Sequence, residues 1–141
     1  MRGVTTLIRL AQFEVDEQRS DLGRIVQARA DAEAALDTHD ATAEREANVP
    51  LSDARDLAAF SAWMRQATRA RAKLKQRFSE LDSTENAARE SLRDAIAQVK
   101  RLQTVMETAQ SAARRVGLHH AQTRADERES IRHSAAGAVA H

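Results

Sequence analysis

Cysteine is absent from the 141 residues, and so is tyrosine. Without cysteine there is no disulfide framework, no thiol nucleophile and no thiolate metal site, and a reducing compartment fits. Aromatic residues make up 3% of the chain: one tryptophan and three phenylalanines. Alanine is the commonest member of the 42% apolar fraction. Such a set is too lean to fill a thick globular core, but it suits a thin seam between helices. One proline and four glycines leave few points at which a helix must stop. No apolar run approaches the ~20 residues that span a bilayer. Neither sign of charge dominates, with 22 basic and 21 acidic side chains and a net charge of +1. Overall charge therefore makes no case for nucleic acid or an anionic membrane as partner. The opening MRGVTTLIRLAQFEVDE turns acidic too early for a signal peptide, so the cytoplasm is the expected location.

What the chain does have is periodicity. From Ile8 a 3-4 spacing runs through Ala11, Val15, Gln18, Leu22, Ile25, Arg29, Ala32, Leu36, His39 and Ala43, and most of these are apolar. A strand would need alternation, which is missing. Asn48-Val49-Pro50 breaks the pattern, because proline disfavours helix in the residue before it and cannot donate the helical hydrogen bond. Ser52, with Arg55 three residues on, offers an N-cap without a full capping box. A second, stronger seam then runs through Leu57, Phe60, Met64, Ala67, Arg71, Leu74, Phe78, Leu81, Glu85, Ala88, Leu92, Ala95, Val99, Leu102, Met106, Ala109, Ala113 and Val116. A sustained heptad of this kind predicts a left-handed coiled coil. Gly117 fits a helix C-terminus.

The expected fold class is all-α: a two-helix antiparallel coiled-coil hairpin with a longer C-terminal helix. Its expected bounds are a hairpin over 1–116, made of helix 4–47, turn 48–52 and helix 53–116. A polar tail, 117–141, has Leu118, Ile131 and Val139 as its large apolar residues and is read as frayed or disordered, or helical through its charged stretch. Charge agrees with two paired helices. Residues 1–47 hold six basic and ten acidic side chains, residues 52–116 thirteen and eight. The acid-free basic run Arg65, Arg69, Arg71, Lys73, Lys75, Arg77 is expected opposite Asp31, Glu33, Asp37 and Asp40. Such pairs set register more than stability. With a turn near Pro50, Ile8 is expected opposite Leu92 or Ala95. That leaves the seam from about Ile96 to Val116 without a partner in its own chain. An exposed apolar stripe seeks another surface, either a second copy or a different protein.

No constellation for chemistry is present. His119 and His120 are adjacent and point to different sides of a helix, and neither has an i+4 ligand partner. His133 and His141 stand alone, and His39 reads as a partly buried polar residue of the seam. There is no phosphate-binding glycine loop and no nucleophile elbow. Catalysis, cofactors and metals are therefore not expected. Gln18, Arg29, Arg71 and Glu85 interrupt the seam, as residues that fix register do.

Several of these elements together resemble a known family. Leu7-Ile8-Arg9-Leu10 followed by Glu14-Val15-Asp16-Glu17, the polar break, and Asp56-Leu57-Ala58-Ala59-Phe60-Ser61-Ala62-Trp63-Met64 are similar to the flagellar export chaperone family FliJ. The resemblance covers most of the chain. It implies a non-enzymatic stalk or chaperone of the bacterial flagellar type III export apparatus, cytoplasmic and peripherally associated with the inner membrane. The implied partners are the export ATPase ring, the cytoplasmic domain of the export gate membrane protein, and export chaperones. Neither nucleic acid nor direct membrane insertion is implied. On this sequence the resemblance implies export-gate binding through Leu36, His39, Phe60, Met64, Ala67 and Arg71. Two family tyrosines correspond to His39 and Ala43, and a family histidine to Arg71. ATPase binding is expected from Val99, Leu102, Met106 and Ala109. A homodimeric structural coiled-coil scaffold, or the equivalent stalk of a virulence-type secretion system, remains the alternative.

Overall fold

The computed structural model describes residues 2–139 as two helices packed together, α1 (Arg2–Ala47) and α2 (Ala54–Val139), with no strand among the described residues. Long stretches of alanine, leucine, arginine, glutamate and glutamine favour helix at nearly every position. Helix α1 ends in a tight final turn, where the Asn48 and Val49 amides reach back to the Arg45 and Glu46 carbonyls at 3.3 Å. Pro50 then prevents continuation. Helix α2 opens on a cap built from Asp53, whose carboxylate accepts the Asp56 amide at 2.9 Å. Asp56 in turn accepts the Ser52 amide at 3.1 Å. The cap is therefore Asp53 and not the expected Ser52. Arg45 in the last turn of α1 and Asp56 in the first turn of α2 also complement the helix dipoles.

Helix α2 does not stop at Gly117 but continues to Val139, which corrects the expected end at 116 and makes the charged stretch of the tail helical. A single glycine costs about 1 kcal/mol against alanine inside a helix, too little to end one. Gly117 does not adopt positive φ, and no proline follows it. The last two residues of the expected tail, including His141, lie outside the described residues, as does the side chain of Val139.

The chain forms two compact units. One consists of residues 13–96. Its buried and half-buried residues on α1 are spaced by threes and fours through Val15, Gln18, Leu22, Ile25, Arg29, Ala32, Leu36, His39 and Ala43. On α2 they run through Phe60, Trp63, Ala67, Leu74, Phe78, Leu81, Glu85, Ala88, Leu92 and Ala95. Two ion pairs join the helices, Arg29 to Asp82 at 3.0 Å and Arg71 to Asp40 at 2.8 Å. Arg29 also lies over the Phe78 ring, 4.9 Å from its centroid. A seam arginine thus spends its charge on a carboxylate and its flat face on an aromatic. Of the carboxylates expected opposite the basic run, only Asp40 makes an ion pair with it.

The other unit consists of the first twelve residues and the stretch from Ala97 onward. Ile8 is buried, and Val4, Thr5, Ala11, Val99, Leu102, Met106, Ala109 and Ser111 are half-buried. Ile8 therefore belongs with the stretch from Ala97 onward, not with Leu92 or Ala95 as expected. Every residue from 112 to 138 is exposed. No helix among the described residues is long and apolar enough to cross a membrane.

Candidate functional site

The connection between the helices carries the most distinctive surface of the 13–96 unit. Three causes shape it. Proline ends α1, the Asp53–Asp56 cap fixes the start of α2, and the first turns of α2 bring Phe60 and Trp63 over the connection. Their rings stack at 5.9 Å between centroids. Together with Val49, Pro50, Leu51 and Ala59 they line an open depression of about 380 Å³. Val49, Leu51 and Leu57 are exposed, so apolar surface there stays in contact with water. Glu46 and Asp56 stand at its rim. Hydrogen bonds from the Ser52 hydroxyl and amide hold the Asp56 carboxyl below its ordinary value.

Behind this depression lies a second, smaller one of about 250 Å³ between the helices, lined by His39, Ala43, Trp63, Gln66, Ala67 and Ala70. His39 Nδ1 is buried without a hydrogen bond, and its nearest charged neighbour is the Asp40 carboxylate at 3.7 Å. The Arg71 hydrogen bond, with His39 as a lesser contributor, holds the Asp40 carboxyl below its ordinary value. The same contact raises the Arg71 pKa. Arg71 donates twice to Asp40, through Nε at 2.8 Å and Nη2 at 3.4 Å, in the two-point geometry that suits guanidinium and carboxylate.

The six residues implied for the gate-binding surface separate into two groups. Leu36, His39, Phe60 and Ala67 are half-buried between the helices. Met64 is 40% exposed and Arg71 is exposed, so both stand outside the buried line where the heptad reading put them. In this stretch the line passes through Trp63. A 3-4 spacing of Phe60, Trp63 and Ala67 fits the sequence as well as Phe60, Met64 and Ala67, and residue type alone does not separate them. Trp63 and Asp56 are the site residues that the sequence reading missed.

The implied ATPase-binding residues Val99, Leu102, Met106 and Ala109 lie in the other unit and are half-buried there. The unpartnered stripe expected over 96–116 is therefore corrected: the free part of α2 begins after Ser111. The apolar surface this unit exposes comes from Leu7, Leu10, Val105, Val116 and Leu118. No group of three or more histidine, cysteine, aspartate or glutamate side chains able to hold a metal ion occurs among the described residues. His119 and His120 make an edge-on ring contact on the exposed stretch. No protein-family profile, curated protein or solved structure matches the chain.

Proposed function

We propose that this chain is a non-enzymatic coiled-coil stalk or chaperone of a type III export apparatus, working by binding other proteins. In this reading the helices form an antiparallel hairpin. Their ion pairs support it: from Arg29 to Asp40 is eleven residues forward on α1, and from Asp82 to Arg71 is eleven back on α2. The 3-4 spacing of buried residues supports coiled-coil packing of the two helices.

One observation carries the functional reading: helix α2 continues from 112 to 138 with every side chain exposed. Isolated helices draw most of their stability from packing, so a bare one invites a surface to cover it. A rotary export ATPase ring is the proposed cover, and the aromatic depression at the connection is the proposed contact for the export gate. The flagellar resemblance of Leu7–Leu10, Glu14–Glu17 and Asp56–Met64 supports this assignment over other coiled-coil roles.

The testing experiment is a pull-down from cytosol with the tagged full chain, read by mass spectrometry. Val116→Asp/Leu118→Asp, in the bare stretch, and Leu51→Asp/Leu57→Asp, at the connection, serve as surface variants. These four side chains are exposed, so the fold should survive. The full chain should recover a rotary-type export ATPase, the first variant should lose it, and the second should keep it. Recovery of the chain alone, or equal ATPase recovery by the first variant, refutes the reading.

A further inference from the structure

Helix α2 carries Arg65, Arg69, Lys73 and Arg77 at successive i+4 positions, so they form one ridge on its surface. All four are exposed, and none makes an ion pair among the described residues. No acid occurs from Leu57 to Ser79, so nothing on this stretch of α2 offsets them. At ~1.5 Å per residue the ridge is about 18 Å long. Helix α1 carries a counterpart in Glu33, Asp37, Asp40 and Glu44, spaced by four, three and four and about 17 Å long. Asp40 is engaged by Arg71, while Glu33, Asp37 and Glu44 are exposed and make no ion pair among the described residues.

We infer that a second copy of this chain docks on this face, the cationic ridge of one copy lying along the anionic stripe of the other. The two are of similar length, with four unpaired cations against three unpaired carboxylates at three- and four-residue spacings, and both belong to the 13–96 unit. A bilayer or a nucleic-acid duplex fits less well. Either presents anionic charge over a broad area, so it would meet the α1 carboxylates along with the cations. The ridge also has no aromatic side chain for stacking unpaired bases, since Trp63 is half-buried against Phe60. A single helix is narrow enough to meet the ridge alone.

The test is the mass of the full-length chain in solution, by sedimentation velocity. At about 0.1 mM chain and about 0.05 M salt the mass should be that of an associated species, and it should fall to the single chain at about 0.5 M salt. Exposed pairs contribute roughly a factor of two each. Arg65→Glu/Arg69→Glu/Lys73→Glu/Arg77→Glu should therefore weaken self-association roughly tenfold or more. Glu33→Lys/Asp37→Lys/Glu44→Lys should do the same. Mixed together, the two variants should associate again, because each then supplies the complement the other lacks. The milder Arg69→Glu/Lys73→Glu, with helicity checked by circular dichroism, separates lost docking from lost fold. Association that survives both full variants, fails to return on mixing, or is absent from the unaltered chain at low salt overturns the inference. Association with anionic vesicles or duplex DNA in place of a second copy also overturns it.

Discussion

Glu85 is the one buried charged residue among the described residues, and replacing it with leucine should stabilise the protein. Its side chain is 12% exposed and sits in the buried line of α2 between Leu81 and Ala88. Its ion-pair partner is Arg89, one turn on, with Nε 3.6 Å from the carboxylate, beyond hydrogen-bond reach. An exposed-side pair of this kind contributes about 0.2–1 kcal/mol, and that would be lost. Leucine in the same place buries an isobutyl group worth about 1.5–3 kcal/mol when fully covered, somewhat less at this residual exposure. It also removes the cost of holding a carboxylate out of water. Helix propensity barely differs between the two residues. The net expectation is a gain of about 1–2 kcal/mol. The assay is urea unfolding followed by circular dichroism. With a slope of roughly 2 kcal/mol per molar urea, the midpoint should rise by roughly 0.5–1 M. Glu85→Ala is the control, since it removes the carboxylate without adding apolar volume and should gain less than leucine. An unchanged or lower midpoint for Glu85→Leu would refute the reasoning. It would mean that the carboxylate is better served in the folded state than its single long pair indicates, or that the site lacks room for the leucine side chain.

Leu81 is buried, so Leu81→Ala should lower stability by about 2 kcal/mol in the same assay. Leu118 is 71% exposed, so Leu118→Ala should change stability by less than about 0.5 kcal/mol. The Asp40 and Asp56 carboxyls are both held below the ordinary 3.8 in the fold. The unfolded chain therefore takes up those protons first on acidification. Their contribution is full above the ordinary value and is lost as pH falls through the depressed folded ones. Arg71→Gln together with Ser52→Ala should flatten the acid limb of an unfolding-versus-pH profile, and an unchanged limb would count against both contacts. Asp53→Ala removes the cap of α2 and should cost about 1 kcal/mol, with loss of amide protection confined to residues 54–57 in hydrogen exchange.

Much of the helix register could be read from the sequence alone. The line from Ile8 to Ala43 on α1 consists of buried or half-buried residues at every expected position, polar Gln18, Arg29 and His39 included. From Leu74 to Ala109 the same holds on α2. These stretches have a neighbour along their whole length, so the period of apolar residues and the period of burial coincide. The reading failed where that condition lapses. Leu57, Met64, Ala113 and Val116 are apolar residues in heptad phase, yet all are exposed. Near the connection Phe60 and Trp63 are half-buried while Leu57 and Met64 are exposed, so residue type alone does not decide burial there. Beyond Ser111 no neighbour exists in the described chain. The N-cap was misjudged by one residue because Ser52, Asp53 and Asp56 are all competent caps. Backbone geometry decides that the Asp53 carboxylate accepts the Asp56 amide while the Asp56 carboxylate accepts from Ser52.

The length of the connection decides which part of α2 remains free. Placing the turn at 48–52 makes Ile8 fall opposite Leu92 or Ala95. In the structure α2 starts at Ala54, and its first three turns carry Phe60 and Trp63. His39 and Ala43 on α1 and Ala67 and Ala70 on α2 line one depression between the helices. The first turns of α1 group with the stretch of α2 from Ala97 onward, where Val99, Leu102, Met106 and Ala109 are half-buried. A substitution such as Leu102→Asp then disturbs the packing of its own unit along with any partner contact. Exposed Val116 and Leu118 report on partner binding without that ambiguity. The stretch from 112 to 138 stays bare, with every residue exposed and no cover from the described part of α1.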